Sequence, residues 1–319
     1  MYPALAIGEI ARRRVGEADL LFVGVRGRAE ERLVPKASVR IEFVDGRGMP
    51  SGLAGMPGFA ASLARGTAAA RGILARFDPD LVVSTGGFSS APTVFAAAAL
   101  RASRGRPRLL VHEQNALPGR MNRVAGRLAD RVGTTFASSS RFFPGGKVVH
   151  TGYPVRTGIG ACDPAGARAG LGIPGDALVV LAFGGSLGAR SLNRAIAGAL
   201  PALLARESLH VVHGTGRATG GDYDPEVDTA GAVEALGLSP GRLSRYHALP
   251  YIDDMAGAYA AADIVVARAG AGTISEIERV RLPSVLVPKM GLPHEHQLAN
   301  ARDLEARGSA RVIVEVPDP

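Results

Sequence analysis

Short apolar runs rich in branched residues alternate with longer alanine-rich stretches along the whole chain. In the first half the runs are Leu20 to Val25, Leu81 to Ser84, Leu109 to His112, Val132 to Thr134 and Lys147 to His150. The second half repeats the pattern with Leu178 to Phe183, His210 to His213, Ile264 to Val266, Ser284 to Val287 and Arg311 to Val314. Continuous apolar runs separated by helical spacers predict strands buried on both faces, and hence an α/β chain built from two parallel, helix-covered sheets. The segment Gly158 to Asp176, rich in Gly, Pro and Ala, reads as the linker between domains 1–157 and 158–319.

Composition narrows the class. The 319 residues are 46% hydrophobic and 21% charged, enough for two domains with cores of their own. A single cysteine excludes a disulfide scaffold and a cysteine-based zinc site. No apolar run approaches the roughly 18 residues of a membrane span. Met1-Tyr2-Pro3 leads into an amphipathic pattern without the basic start and long apolar core of a secretory signal, so a cytoplasmic location is expected.

Charge is divided unevenly. Residues 1–157 hold 23 Lys and Arg against 11 Asp and Glu, and residues 158–319 hold 14 against 18. A basic first half suggests an anionic partner such as nucleic acid, anionic lipid or a phosphorylated substrate. Zinc-finger spacing, a helix-turn-helix signature and an aromatic-rich basic stretch are all missing, which argues against nucleic acid.

Two strand ends run into glycine turns, at Gly86-Gly87 and at Gly184-Gly185-Ser186-Leu187-Gly188-Ala189-Arg190. Glycine lets the backbone approach a ligand, and amides at a helix start form an anion site. Neither turn is a G-x-G-x-x-G dinucleotide fingerprint or a P-loop. Ala267-Arg268-Ala269-Gly270-Ala271-Gly272-Thr273-Ile274-Ser275-Glu276 is a third strand exit, with a carboxylate one turn into the helix. It suits a nucleotide, with amides on phosphate and Glu276 on the ribose hydroxyls; Thr273 and Glu276 equally fit a capping box. Asp253 or Asp254 suits a helix cap better than a metal ligand. His112-Glu113-Gln114-Asn115 is a polar strand end that can line a cleft or form a solvated loop. In His294-Glu295-His296-Gln297 the histidines lack zinc spacing, and Gln297 suits a hydrogen bond to a polyol or the ordinary polarity of a helix start.

Taken in order, Gly86-Gly87, His112-Glu113-Gln114-Asn115, Gly152-Tyr153-Pro154-Val155-Arg156, the Gly184 to Arg190 loop, Ile252-Asp253-Asp254-Met255, Arg268 to Glu276 and His296-Gln297-x-x-Asn300-Ala301 resemble the MurG family over essentially the whole chain. The resemblance implies a GT-B fold, with two Rossmann-like domains facing across a cleft. It implies an inverting transfer of N-acetylglucosamine from UDP-GlcNAc to the C4 hydroxyl of lipid-linked muramyl pentapeptide, with no cofactor and no metal. Carried over residue by residue, Ile252 would meet uracil through its backbone, Glu276 the ribose, and Ser186 with its glycine loop the diphosphate. Asn115, Arg156 and Gln297 would meet the donor's sugar or phosphates, and the backbone of Ala271, Gly272, Thr273, Ile274 and Ser275 would line the pocket.

The family also places a strand and a glycine-rich loop ending in histidine, the proposed base, ahead of Tyr2-Pro3-Ala4-Leu5-Ala6, and a further helical segment at the other end. The expectation is therefore a fragment or a misassigned start rather than a natural variant, with the catalytic base unassigned. Met56, Phe59 and Leu63 recur at i, i+3, i+7 with Arg65 and Arg71 nearby, a stripe that either belongs to the core or resembles the family's contact with the anionic cytoplasmic face of the membrane. An inactive chain that only binds donor, and another GT-B enzyme using a UDP-sugar, are the competing expectations.

Overall fold

The computed structural model describes the chain except for residues 1, 17, 51, 156–157, 219–221, 292–294 and 316–319. The chain divides into two compact units, Met1–Pro154 and Val155–Pro319.

In the first unit, β1 (Leu21–Gly24) pairs in parallel with β2 (Arg40–Phe43), and β3 (Leu81–Ser84), β4 (Arg108–Glu113), β5 (Arg131–Thr134) and β6 (Val148–His150) form a separate parallel sheet in that order. The sequence pattern expects one sheet here, whereas β1 and β3 are not paired with each other. A single core nonetheless spans both sheets, uniting Val25 and Val44 with Val82, Val94, Leu109 and Val111. The helix Met56–Phe77 lies close on this core because Gly66 has no side chain: a Cβ there would stand 2.0 Å from the Asp45 carbonyl and 3.0 Å from Pro92. The apolar stripe on this helix is half-buried, with Phe59 edge-on to Phe88 at 6.0 Å and Leu63 packed on the core. Arg71 is exposed and Arg65 pairs with Asp45 at 2.7 Å, while the most exposed apolar groups nearby are Leu53 and Met49.

The second unit holds one parallel sheet with strand order β12-β11-β10-β7-β8-β9. Its strands are β7 (Leu178–Phe183), β8 (Leu209–Gly214), β9 (Tyr246–Leu249), β10 (Ile264–Ala267), β11 (Ser284–Leu286) and β12 (Ala310–Val312). Five of the six β7 residues and all six of β8 are buried, which is why their runs are apolar throughout rather than alternating. The chain leaves β7 toward β8 on one side and later enters β10 on the other, so the sheet order switches between β7 and β10. In open α/β sheets the crevice outside the carboxyl ends at such a switch is where ligands bind.

The stretch from Gly158 to Asp176 is not a free linker. Asp163 caps a helix over Pro164–Gly170, and Arg168 donates to the Ala261 carbonyl at 3.0 Å and to Asp263 at 2.9 Å. Its glycines and prolines are the stops of a docked segment rather than slack.

Candidate functional site

Two helices start at the switch point of the second unit. The helix Arg190–Leu203 follows β7, its N-cap Ala189 gives no side-chain bond, and the first bond of its backbone ladder runs from Asn193 N to Ala189 O. The helix Ala271–Val280 follows β10 in the same way, with Gly270 as an N-cap without a side-chain bond and the first bond from Ile274 N to Gly270 O. The amides of residues 190–192 and 271–273 lie ahead of those bonds, so two partial positive charges meet at neighbouring strand ends. The capping-box alternative does not hold, since Thr273 is the third residue of its helix rather than its cap. Ile274 and Ser275 are buried, and Ile274 N is engaged by Gly270 O within the helix.

Close backbone packing shapes the first of these loops. Gly185 and Gly188 have φ of 100° and 71°, and Gly188 N donates to Gly185 O at 3.0 Å, closing the turn. A Cβ on Gly184 would stand 2.5 Å from Ala189 Cβ, and one on Gly188 would stand 2.1 Å from Thr215 O. Ser186 is exposed at the tip, its carbonyl accepting from Arg217 N at 3.1 Å. Ile252 is buried with its Cδ1 2.9 Å from where a Gly214 Cβ would lie. Asp254 caps the helix Met255–Ala261 through Gly257 N, and Asp253 faces Arg217 at 3.5 Å.

Glu276 sits half-buried in the second turn of its helix, where Tyr259 donates its hydroxyl to Oε2 at 3.2 Å. Tyr259 is itself 1% exposed and edge-on to Phe183, so the carboxylate is aimed by a ring locked in the core. Gln297, in the first turn of the helix His296–Ala306, accepts from Lys289 N at 2.9 Å through Oε1, which leaves its Nε2 as the donor end. Asn300 donates to Ala269 O at 3.4 Å beneath the β10 exit.

In the first unit Glu113 is buried and accepts from Asn115 N at 2.8 Å, Asn115 Nδ2 at 3.3 Å and Asn122 Nδ2 at 2.8 Å. Asn122 also fills the space beside Gly86, whose φ is 90° and whose added Cβ would meet the Asn122 amide at 2.6 Å. Gly86 is thus explained by packing. Gly87, with φ of 87°, caps the short turn Phe88–Ser90 that leads into the helix Ala91–Arg104. His112 donates from Nε2 to Gly152 O at 3.0 Å, while Gln114 Nε2 lies 3.1 Å from Nδ1. Burial lowers its pKa and outweighs the Gly152 bond, so His112 is a neutral core histidine with both ring nitrogens engaged. Arg156 lies outside the described residues.

Sequence reading missed the groups that hold these loops. Arg268 was visible in the motif, yet its reach was not: it is 11% exposed, pairs with Glu315 at 2.8 Å, donates to Val287 O at 3.0 Å and bonds Ser191 Oγ at 2.7 Å. One guanidinium thereby ties the β10 and β11 exits to the start of the helix Arg190–Leu203. Gly214-Thr215-Gly216, a third glycine turn after β8, was the sequence signal for the partner of the Gly188 loop.

Two parallel-sheet units, the second with uncapped helix starts and a half-buried carboxylate near a switch point, fit a nucleotide-sugar glycosyltransferase. The glycosyltransferase family 28 N-terminal domain matches residues 1–134 and the family 28 C-terminal domain matches residues 179–316. The chain belongs to the MurG family, the UDP-N-acetylglucosamine--N-acetylmuramyl-(pentapeptide) pyrophosphoryl-undecaprenol N-acetylglucosamine transferases. It is 39% identical over 318 residues to the enzyme of that name from Desulforudis audaxviator, covering 99% of this chain and 82% of that one. It is 37% identical to the Acetivibrio thermocellus enzyme, covering 98% and 81%. The crystal structure of Acinetobacter baumannii MurG superposes with a TM-score of 0.73 at 26% identity, covering 99% of this chain and 82% of that one. The GT-B class expected from the motifs is the fold found.

Proposed function

We propose that this protein transfers N-acetylglucosamine from UDP-GlcNAc to the C4 hydroxyl of undecaprenyl-diphosphate-linked N-acetylmuramyl pentapeptide, with inversion at the anomeric carbon. The observation that carries the donor half of this reading is the pair of uncapped helix starts at β7 and β10 with Glu276 one turn above the second. Amides at residues 190–192 and 271–273 hold the diphosphate, the Ile252 backbone meets uracil, and Glu276, fixed by Tyr259, accepts from the ribose hydroxyls. Gln297 Nε2 serves the sugar.

In the reaction the acceptor oxygen forms its bond to the anomeric carbon from one face. The bond from that carbon to the diphosphate oxygen breaks on the other, and its electron pair leaves with UDP. The growing charge on UDP falls on amides and helix dipoles that are already oriented, which lowers the barrier without reorganisation; this stabilisation asks for no metal. The proton of the attacking hydroxyl goes to a general base. His112 is not that base, because its Nε2 carries the proton given to Gly152 and its Nδ1 faces Gln114.

The acceptor's lipid places the first unit against an anionic membrane surface. No helix among the described residues is long and apolar enough to cross a membrane, and the outward apolar groups Leu53 and Met49, beside Arg47, are the proposed contact. Incubation of the full chain with labelled UDP-GlcNAc and lipid-linked muramyl pentapeptide is expected to move label into the lipid fraction, with EDTA making no difference. Binding of UDP-GlcNAc with no label in the lipid would overturn the proposal.

A further inference from the structure

We infer that His213, with Asn193, is a positioning residue for the diphosphate loop: it fixes the Thr215 carbonyl against which Gly188 closes. The inference rests on the donor reading above and deepens it.

The β8 strand reads Leu-His-Val-Val-His-Gly and is buried at all six positions. Histidine in such a strand needs partners for both ring nitrogens, since a buried unpaired polar atom is costly. His213 and Asn193 are each 0% exposed. Thr215 O can only accept, so the Asn193 amide nitrogen, 2.7 Å away, must point at it. Asn193 Oδ1 then faces His213 Nε2 at 3.3 Å, which must carry the ring proton. The neutral ring leaves Nδ1 to accept from the Tyr246 hydroxyl at 2.8 Å.

The protons therefore run one way, from Tyr246 through His213 and Asn193 to the Thr215 carbonyl, and reversing any link leaves two donors or two acceptors face to face. Burial keeps this state by pushing the His213 pKa down to about 4 and the Tyr246 hydroxyl up.

The far end of the chain of bonds is the loop. Thr215 O stands 2.1 Å from where a Gly188 Cβ would be, and a Gly216 Cβ would be 2.1 Å from Gly188 N and 2.6 Å from Leu187 C. The two turns touch backbone to backbone, so a displaced Thr215 carbonyl displaces Gly188 and the helix start behind it. The same Asn193 amide lies 3.3 Å from the Tyr223 hydroxyl, and the Tyr223 ring carries the Arg190 guanidinium at 4.3 Å. Asn193 thus seats both the loop and the first residue of the helix.

The test is UDP titration of the full chain, together with 15N spectra of its histidine rings. His213→Phe keeps a flat ring, slightly larger, and removes both bonds; it is expected to weaken UDP binding about tenfold, or ~1.4 kcal/mol. Val211→Ala, a core truncation in the same strand with no polar link to the loop, is expected to lower the melting temperature yet hold the UDP Kd within about twofold, as a packing change remote from the loop. Tyr246→Phe covers a His213→Phe chain that does not fold. It removes the bond at Nδ1 while the Thr215 end still requires the proton on Nε2, so the single Nε2–H signal of the wild type should persist, with UDP binding weaker by about threefold, the loss of one modest hydrogen bond. Wild-type affinity in the His213 or Tyr246 variant, or an equal loss in Val211→Ala, would overturn the inference while leaving the donor reading intact. Failure of the wild type itself to bind UDP would overturn the donor reading, and the inference with it.

Discussion

Replacing Gly188 with alanine should cripple the proposed diphosphate loop, whereas the same replacement ten residues on should help the protein. At Gly188 φ is 71°, a conformation that costs an alanine about 1–2 kcal/mol. The added Cβ would stand 2.1 Å from Thr215 O and 3.2 Å from Pro225 Cβ. The first separation is more than about 1 Å short of ordinary contact, and overpacking of that kind costs about 1–3 kcal/mol. The total of roughly 2–5 kcal/mol corresponds to a melting temperature lower by at least about 5 °C for a domain of this size. Whatever part of the strain is relieved by backbone movement carries the amides of residues 190–192 off their positions. A misplacement of about 1 Å in such groups costs on the order of a hundredfold in transfer rate, and a weaker UDP Kd accompanies it.

Gly198, in the same helix, is exposed and has nothing within 4 Å of an added Cβ, so Gly198→Ala should gain about 0.5–1 kcal/mol with UDP affinity unchanged. Thermal denaturation and UDP titration of the two variants side by side make the comparison. A Gly188→Ala protein with wild-type melting and wild-type Kd would refute the reasoning.

Three further outcomes are expected. Glu276→Ala should weaken UDP by about ten- to a hundredfold, the loss of charge-assisted bonds to two hydroxyls, and Tyr259→Phe by only about threefold because it removes one orienting donor; equal affinities for UDP and deoxy-UDP in the wild type would contradict the ribose assignment. Arg268→Met should cost up to about 3 kcal/mol in urea unfolding, at the low end for a buried pair because Glu315 keeps some solvent, and Arg268→Lys should not restore it, lacking the fork that reaches three partners. For His213 the sign follows from a folded pKa of about 4 against 6.5 unfolded. Its stabilisation is whole above pH 6.5 and is lost as pH falls toward 4, because there the unfolded chain binds more protons. The wild type should therefore lose up to ~1.4 kcal/mol per pH unit across that window from this group, and the urea midpoint of His213→Phe should fall less between pH 7 and pH 5; an identical fall would show that His213 does not titrate there.

Periodicity made most of the fold legible, because a strand buried on both faces must be apolar wherever it runs. All ten apolar runs contain strands, offset by a residue or two. The two missed strands lack that signature: Arg40–Phe43 puts charges at alternate positions and lies in a two-stranded sheet, and Tyr246–Leu249 is a half-buried edge strand whose polar residues pair with β8 histidines. The loops of the site were legible for a similar reason. Glycine at positive φ and backbone in contact with backbone are local demands that only certain residues meet. Their supports were not, since Tyr259 under Glu276, Asn193 under Thr215 and Glu315 beside Arg268 are joined by tertiary folding across 17 to 47 positions. The same limit explains His112, whose strand-end position suggests a cleft but whose Nε2–H is bonded to the carbonyl of Gly152, 40 residues later.

Amide hydrogen exchange with and without UDP-GlcNAc tests the central claim most directly, because it reads the position of the donor without requiring turnover. Added protection at residues 184–192 and 270–276, with a smaller effect around Ile252, is the expected result. Protection elsewhere with none at these two helix starts would contradict it.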